Sequence, residues 1–245
     1  MFAAAAVAGG INSVAGGGSL VSFPTLIWLG VPSISANATN TVAMWPGTLG
    51  SAWGYRRELR GADPRVYALI VPSVIGGIIG AVLLYRTPTV VFDRVVPVLI
   101  LFATCLFMVQ EPLQRRFNLA AAHTARSHWL SWTMVFQLAV GLYGGYFGAG
   151  IGILMLAALS LMGHTDIHQM NGLKNLLATC INFVAAAYFA FAGLVIWSDA
   201  LIMAAGAVAG GVGGATIARR IGRDAVRRIV VVVGFVMGLS LMLRL

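Results

Sequence analysis

Charge is the scarcest property of this sequence. Charged residues make up 9% of its 245 positions, against roughly 25% in ordinary soluble domains. So few charges cannot cover a water-facing surface, which excludes an ordinary soluble globule. Cysteine is also rare. Cys105 and Cys180 sit far apart in separate apolar runs, which excludes a disulfide framework and a cysteine metal site. Both read as small packing residues. Carboxylates are few, and none falls in the middle of an apolar run. Glu58, Asp63, Glu111, Asp166, Asp199 and Asp224 lie in loops or at segment ends, and Asp93 near a segment start. The buried acidic relay of many proton-driven carriers is therefore missing. That favours a channel-like or uniport mechanism, or coupling through the anion's own protonation.

Histidine is scarce as well. His123 and His128 border the middle of the chain, and His164 and His168 share one turn. A nucleophile such as Ser19 needs a base within reach, and no apolar run supplies one. An intramembrane hydrolase is disfavoured, so the chain is expected not to be an enzyme and to need no cofactor. His164 and His168 stand four apart, but no third ligand accompanies them, and no metal site is expected. They read as polar residues of an interfacial turn, with a proton-sensing role as the alternative.

What the sequence does have is hydrophobicity. Apolar residues reach 59% and the mean hydropathy is +0.90, so lipid must be the solvent for most of the chain. The formal net charge is +9. The arginines behind it cluster between apolar runs, as cytoplasmic loops of membrane proteins do, and anionic headgroups favour such clusters. A nucleic-acid partner is not implied. The start, MFAAAAVAGG, has no basic stretch ahead of its apolar run, so it does not read as a cleaved signal peptide. It is short for a first span, which leaves a native start further upstream open.

An α-helical span needs about 20 apolar residues. Residues 1–30 are apolar but interrupted at Ala15-Gly16-Gly17-Gly18-Ser19, and residues 36–55, 66–85 and 90–109 follow. A polar linker covers 110–127. The pattern then restarts: 128–163 is interrupted at Gly144 to Gly150, and 169–192, 194–218 and 225–244 complete it. This is an internal repeat. A shift of 133 carries Gly17 onto Gly150, Gly30 onto Gly163 and Tyr55 onto Tyr188, and a shift of 134 carries Gly76-Gly77 onto Gly210-Gly211. The division is a first membrane repeat over 1–109, a cytoplasmic linker over 110–127 and a second membrane repeat over 128–245.

Loop charge gives the orientation. Arg56, Arg57, Arg60 and Arg65 follow the second segment, whereas the matching loop around Gly193 to Asp199 has no base. The next loop reverses this: Arg86 and Arg94 in the first half face Arg219, Arg220, Arg223, Arg227 and Arg228 in the second. Basic loops prefer the cytoplasm, so the halves read as inverted copies. The predicted fold is an all-α polytopic membrane protein with two inverted-topology repeats. Each repeat is a glycine-broken, re-entrant hairpin plus three transmembrane helices. A plain hydropathy count gives eight spans instead.

Inverted repeats with helices broken at matching positions point to a secondary transporter with its site near the midplane. A break exposes backbone N–H groups that lipid cannot satisfy. The half-helix N-termini carry partial positive charge, which suits an anion. Candidate donors at the first break are Asn12, Ser13, Gly16, Gly17, Gly18 and Ser19, and at the second Gly148 and Gly150. A polar turn, Asn171-Gly172-Leu173-Lys174-Asn175, holds the only lysine of the chain. An ionisable residue entering a membrane segment is costly and marks a candidate site, with snorkelling to the interface as the bland alternative. Asn37, Thr39 and Asn40 form the related polar turn of the first half. The two turns and two breaks are expected to enclose a net positive chamber. Glycine stripes at Gly76xxxGly80, Gly206xxxGly210xxxGly214 and Gly234xxxGly238 suit close helix packing, inside the fold or at the seam of a homodimer.

The Gly16-Gly17-Gly18-Ser19 break with Phe23-Pro24, the Asn171–Asn175 run with Asn182, and the late glycine run from Gly206 to Ala215 together resemble the TauE/SafE family of membrane permeases. The resemblance covers nearly the whole chain. It implies export of sulfite, small organosulfonates or related sulfur-containing anions across a bacterial inner membrane. The second break, Gly148-Ala149-Gly150-Ile151-Gly152, departs from the first in lacking a glycine triplet with a serine. The alternatives are a permease for another small anion, carboxylate or sulfate-like, and a non-transporting membrane assembly subunit. The expected partners are a small anionic substrate and the lipid bilayer.

Overall fold

In the computed structural model every described regular element is helical. The description covers all residues except 15–16, 62–63, 121–128, 162–165, 222 and 244–245. The helices are α1 (Phe2–Val14), α2 (Ser19–Trp28), α3 (Ser33–Gly54), α4 (Arg56–Arg60), α5 (Ile70–Arg86), α6 (Thr89–Ala120), α7 (Trp129–Tyr146), α8 (Ile151–Leu161), α9 (Ile167–Phe191), α10 (Trp197–Ile221) and α11 (Arg223–Met242). A short 3-10 turn, Pro64–Leu69, leads into α5.

Helix ends follow local chemistry. α2 stops where Gly30 takes φ +86° and the Val31 N–H donates back to the Leu26 carbonyl at 3.1 Å. α9 stops in the same way, with Gly193 at φ +71° and Leu194 donating to the Phe189 carbonyl at 3.1 Å. Both are glycine-terminated ends that satisfy otherwise orphaned carbonyls. α9 begins on Asp166, whose carboxylate accepts from the backbone of His168 and Gln169, as an N-cap does. α6 runs on to Ala120, through Pro112 and into the polar stretch that begins at 110.

Glycine sets how closely the helices approach. α1 lies along α10 and α5 along α7. A Cβ at Gly210 would fall onto the Ala6 carbonyl, and one at Gly9 onto the Ala207 carbonyl. On the other pair, Gly76 and Gly80 meet the Leu138 and Leu142 carbonyls. Gly234 and Gly238 press on Thr104 and Leu101 of α6. These described stripes all serve contacts inside the chain.

α3 and α9 cross at the centre, with α5 also on α9 and α10 also on α3. Around them the outward faces are apolar: Val71, Ile75, Ile78, Ile79 and Leu83 of α5, and Val232, Val236 and Leu239 of α11, are all exposed. Water does not tolerate such a belt, but lipid does. Three described stretches, Val66–Arg86, Thr89–Val109 and His168–Phe191, are long and apolar enough to cross a membrane.

Candidate anion site

The first break folds back tightly. Gly17 takes φ +83°, and the ring of Phe107 lies 2.9 Å from where a Cβ on it would stand. Asn12 Oδ1 accepts the Gly18 N–H at 2.7 Å. α2 then begins at Ser19. The second break repeats the device with different residues. Gly148 and Gly150 take φ +82° and +80°, the Tyr143 hydroxyl donates to the Ala149 carbonyl at 2.7 Å, and α8 begins at Ile151. Both half-helices thus start from left-handed glycine, a conformation in which any side chain is strained.

The two starts converge on one cavity of about 500 Å³, lined by Gly17 and Ser19 from the first break and by Gly148, Gly150, Ile151, Gly152 and Ile153 from the second. Its remaining polar wall is Asn12, Thr48, Ser51, Lys174, Asn175 and Asn182. Its apolar wall includes Met44, Phe107, Ala178, Ala207 and Val208. No carboxylate is among these described lining residues. A helix leaves its first N–H groups without intrahelical acceptors. Here those of Leu20 and Val21 close on the Gly17 and Gly18 carbonyls. Among the described residues nothing accepts from Ser19 or Gly152 N–H, and both residues line the cavity.

Lys174 is half-buried. Its Nζ donates to Asn171 Oδ1 at 3.0 Å, and its stem runs along the start of α8, with Cδ 3.1 Å from a Cβ position on Gly152. The absence of a side chain at Gly152 is what lets the ammonium stem lie against a helix N-terminus. Positive potential from a lysine and from two helix ends therefore meets in one concave space, and an anion is the ligand class that gains from it.

The structure brings Asn12, Gly17, Ser19, Gly148, Gly150, Lys174 and Asn175 to the cavity. Asn171 stands behind Lys174 as its hydrogen-bond partner, and Gly18 is buried at the N-cap of α2. Gly16 and the Ser13 side chain lie outside the described residues. The first-half polar turn is not at the cavity. Asn37 Nδ2 donates to the Tyr146 carbonyl at 3.0 Å, Thr39 Oγ1 accepts from the Ile196 N–H at 3.0 Å, and Asn40 Oδ1 accepts from Ser22 Oγ at 2.6 Å. These residues occupy the packed half of α3, whereas the cavity follows its other half. Sequence reasoning left out Met44, Thr48, Ser51 and Phe107. Thr48 and Ser51 carry a faint signal, lying with Gly47 and Gly50 on a run of small residues late in α3. Phe107 carries none. Trp45 packs on Phe183, ring centroids 5.4 Å apart. His164 lies outside the described residues, and His168 is exposed next to the capping Asp166. No cluster of metal-ligating side chains occurs among the described residues.

Comparison with known proteins adds to this geometry. The family model described as "Sulfite exporter TauE/SafE" matches residues 1–241. A "Probable membrane transporter protein" of Haemophilus influenzae is 26% identical over 97% of this chain and 91% of its own length. The "Probable membrane transporter protein YfcA" of Escherichia coli is 25% identical over 99% of this chain and 88% of its own. The "Probable membrane transporter protein ORF9" of a Sinorhizobium species is 24% identical over 99% of this chain and 91% of its own. No solved structure matches the chain.

Proposed function

The chain belongs to the TauE/SafE family, whose members are membrane transporters and not enzymes, and from that premise we propose a secondary transporter that exports small sulfur-containing oxyanions, such as sulfite or organosulfonates, across a bacterial inner membrane. The observation that carries the reading is the convergence of two half-helix N-termini and the only lysine of the chain on one cavity. Backbone donors and an ammonium compensate the hydration an oxyanion loses in leaving water.

The inverted-repeat architecture belongs to the same proposal. Exchanging α1 with α7, α2 with α8, α3 with α9, α5 with α10 and α6 with α11 carries the most extensive packed pairs onto other packed pairs. α1 on α10 becomes α7 on α5, α5 on α9 becomes α10 on α3, and α6 on α8 becomes α11 on α2. The lengths of α1, α2 and α8, 13, 10 and 11 residues, support re-entrant hairpins. They rise about 15–20 Å, short of a hydrocarbon core of ~30 Å. The basic loops then put the end of α3 and the start of α5 on the cytoplasmic side. Transport is one half rocking against the other around the fixed site.

The test is a binding screen of purified protein against sulfite, sulfate, thiosulfate, sulfoacetate and carboxylate controls, repeated on Lys174→Ala. Sulfite-class anions should raise the melting temperature of the wild type, and Lys174→Ala should lose the shift. A response to carboxylates alone would reassign the substrate. Undiminished anion flux through Lys174→Ala in proteoliposomes would remove the lysine from the mechanism.

A further inference from the structure

We propose that Asn37, Thr39 and Asn40 are positioning residues of the transport cycle, whose hydrogen bonds hold the chamber shut on the side away from Lys174 in the conformation seen here. The inference rests on the transporter reading above and adds which side is open and what closes the other.

The cavity is one-sided. Its α3 wall runs from Met44 to Ser51, the half that leads to Tyr55 and the basic Arg56 and Arg57. Its α9 wall runs from Lys174 to Asn182, and the start of α9 lies on that same side, since Gln169 Nε2 donates to the Gly61 carbonyl at 3.1 Å. The other halves of both helices are sealed. Asn37, Thr39 and Asn40 are at most 4% exposed, and Ala185 and Phe189 are fully buried. Edge-on aromatic pairs fill the same end, Phe23 on Phe147 at 5.3 Å and Phe92 on Tyr146 at 5.7 Å.

The three polar bonds in that seal are not needed to make α3 a helix. Each runs to a different element: the last carbonyl of α7, the N–H just before α10, and a hydroxyl on α2. Together they tie the first-half helix α3 to its own hairpin and to two points of the second half. An apolar seal would lose its whole burial gain on opening. Amides and a hydroxyl exchange their bonds for bonds to water, so the net cost of parting is small for each. A closure meant to open repeatedly is better built from such groups than from aliphatic side chains alone.

The related turn in α9 is in the opposite condition. Asn171, Lys174 and Asn175 are half-buried, and Lys174 and Asn175 line the open cavity. Two related polar turns, one locked and one open, are what a single conformation of a carrier that rocks between two sides should display. In the alternate conformation the α3 turn would be hydrated and the α9 turn packed.

The experiment uses the full chain in proteoliposomes of one orientation, with Cys105 and Cys180 replaced, and needs no substrate. One reporter is Ala36→Cys, a fully buried position one turn from Asn40 on the same face. The other is Ser51→Cys, on the open wall. Impermeant maleimide is added to each side in turn. In the parent, Ser51→Cys should label from the basic-loop side and Ala36→Cys hardly at all. Adding Asn40→Ala or Asn37→Ala should raise Ala36→Cys labelling from the opposite side by about tenfold, the shift expected when a buried hydrogen bond is lost, and should lower Ser51→Cys labelling. Thr39→Ser, which keeps the accepting hydroxyl, should match the parent. Unchanged Ala36→Cys labelling in both asparagine variants would overturn the proposal. So would a rise at both reporters together, the mark of general loosening. A failure of the anion screen would leave these labelling results standing, so the two readings fail separately.

Discussion

A methyl group at Gly210 should separate two helices, while one at the next residue should not. A Cβ at Gly210 would coincide with the backbone carbonyl of Ala6. A carbonyl in a helix cannot turn aside as a side chain can, so α1 and α10 must move apart by about 1 Å, forfeiting a quarter to a half of the dispersion energy at each contact along the crossing. Overpacking of this kind costs about 1–3 kcal/mol. Replacing glycine in a helix interior returns up to about 1 kcal/mol, leaving a net loss of ~0–2 kcal/mol. Gly211 meets nothing within 4 Å of its Cβ position, so Gly211→Ala keeps only the propensity gain. The propensity gain is common to both, so the two variants should differ by about 1–3 kcal/mol in unfolding of the detergent-solubilised protein, followed by titration with a denaturing detergent. Gly76, whose Cβ position falls on the Leu138 carbonyl, should behave like Gly210. The double variant should be additive, because the two sites share no partner. Gly210→Ala as stable as Gly211→Ala would refute the close-crossing argument.

Two further outcomes concern the cavity. Gly152→Ala places a methyl 3.1 Å from Lys174 Cδ, a flexible neighbour that can yield; sulfite affinity by titration calorimetry should fall several-fold while thermal stability stays within ~0.5 kcal/mol of wild type. Asn12→Ala removes the acceptor of the Gly18 N–H and should cost about 1–3 kcal/mol in unfolding. Asn12→Asp keeps an acceptor and should recover much of that stability, yet it puts a negative charge on the cavity wall and should weaken anion binding more than Asn12→Ala does. Recovery of both properties by Asn12→Asp would contradict an anion site.

The membrane class was legible from composition alone, because a low charge fraction and long apolar runs admit one solvent. The breaks were legible because only glycine tolerates the left-handed backbone that Gly17, Gly148 and Gly150 adopt, and a glycine cluster inside an apolar run has few other uses. Lys174 stood out because a lone lysine among apolar residues must be explained. The fate of Asn37, Thr39 and Asn40 was not legible. Their residue types match those of the α9 turn, and only tertiary packing decides which of two related polar turns is sealed and which faces a cavity. Phe107 was invisible for a similar reason. One aromatic in an apolar helix resembles every other until the partner across from it proves to be a glycine at φ +83°.

Selectivity is where the two kinds of wall separate. On the proposed reading, backbone amides at Ser19 and Gly152 and the ammonium of Lys174 would recognise negative charge and little else, since any small oxyanion presents acceptors to them. Discrimination between anions must come from groups that meet the rest of the ligand. In this cavity those would be the amide of Asn182, the apolar faces of Met44 and Phe107, and Thr48 and Ser51, whose hydroxyls donate to the Trp45 and Gly47 carbonyls. A substitution among these five should re-rank the anions bound while leaving anion binding itself intact, whereas a loss at Lys174 should lower all affinities together. Polar groups built to bond a ligand reject the analogue that leaves them unpaired more strongly than an apolar pocket rejects one methylene. Asn182, half-buried on the stripe that also carries Asn175 and Ala178, is therefore the side chain whose replacement by alanine should flatten the ranking most.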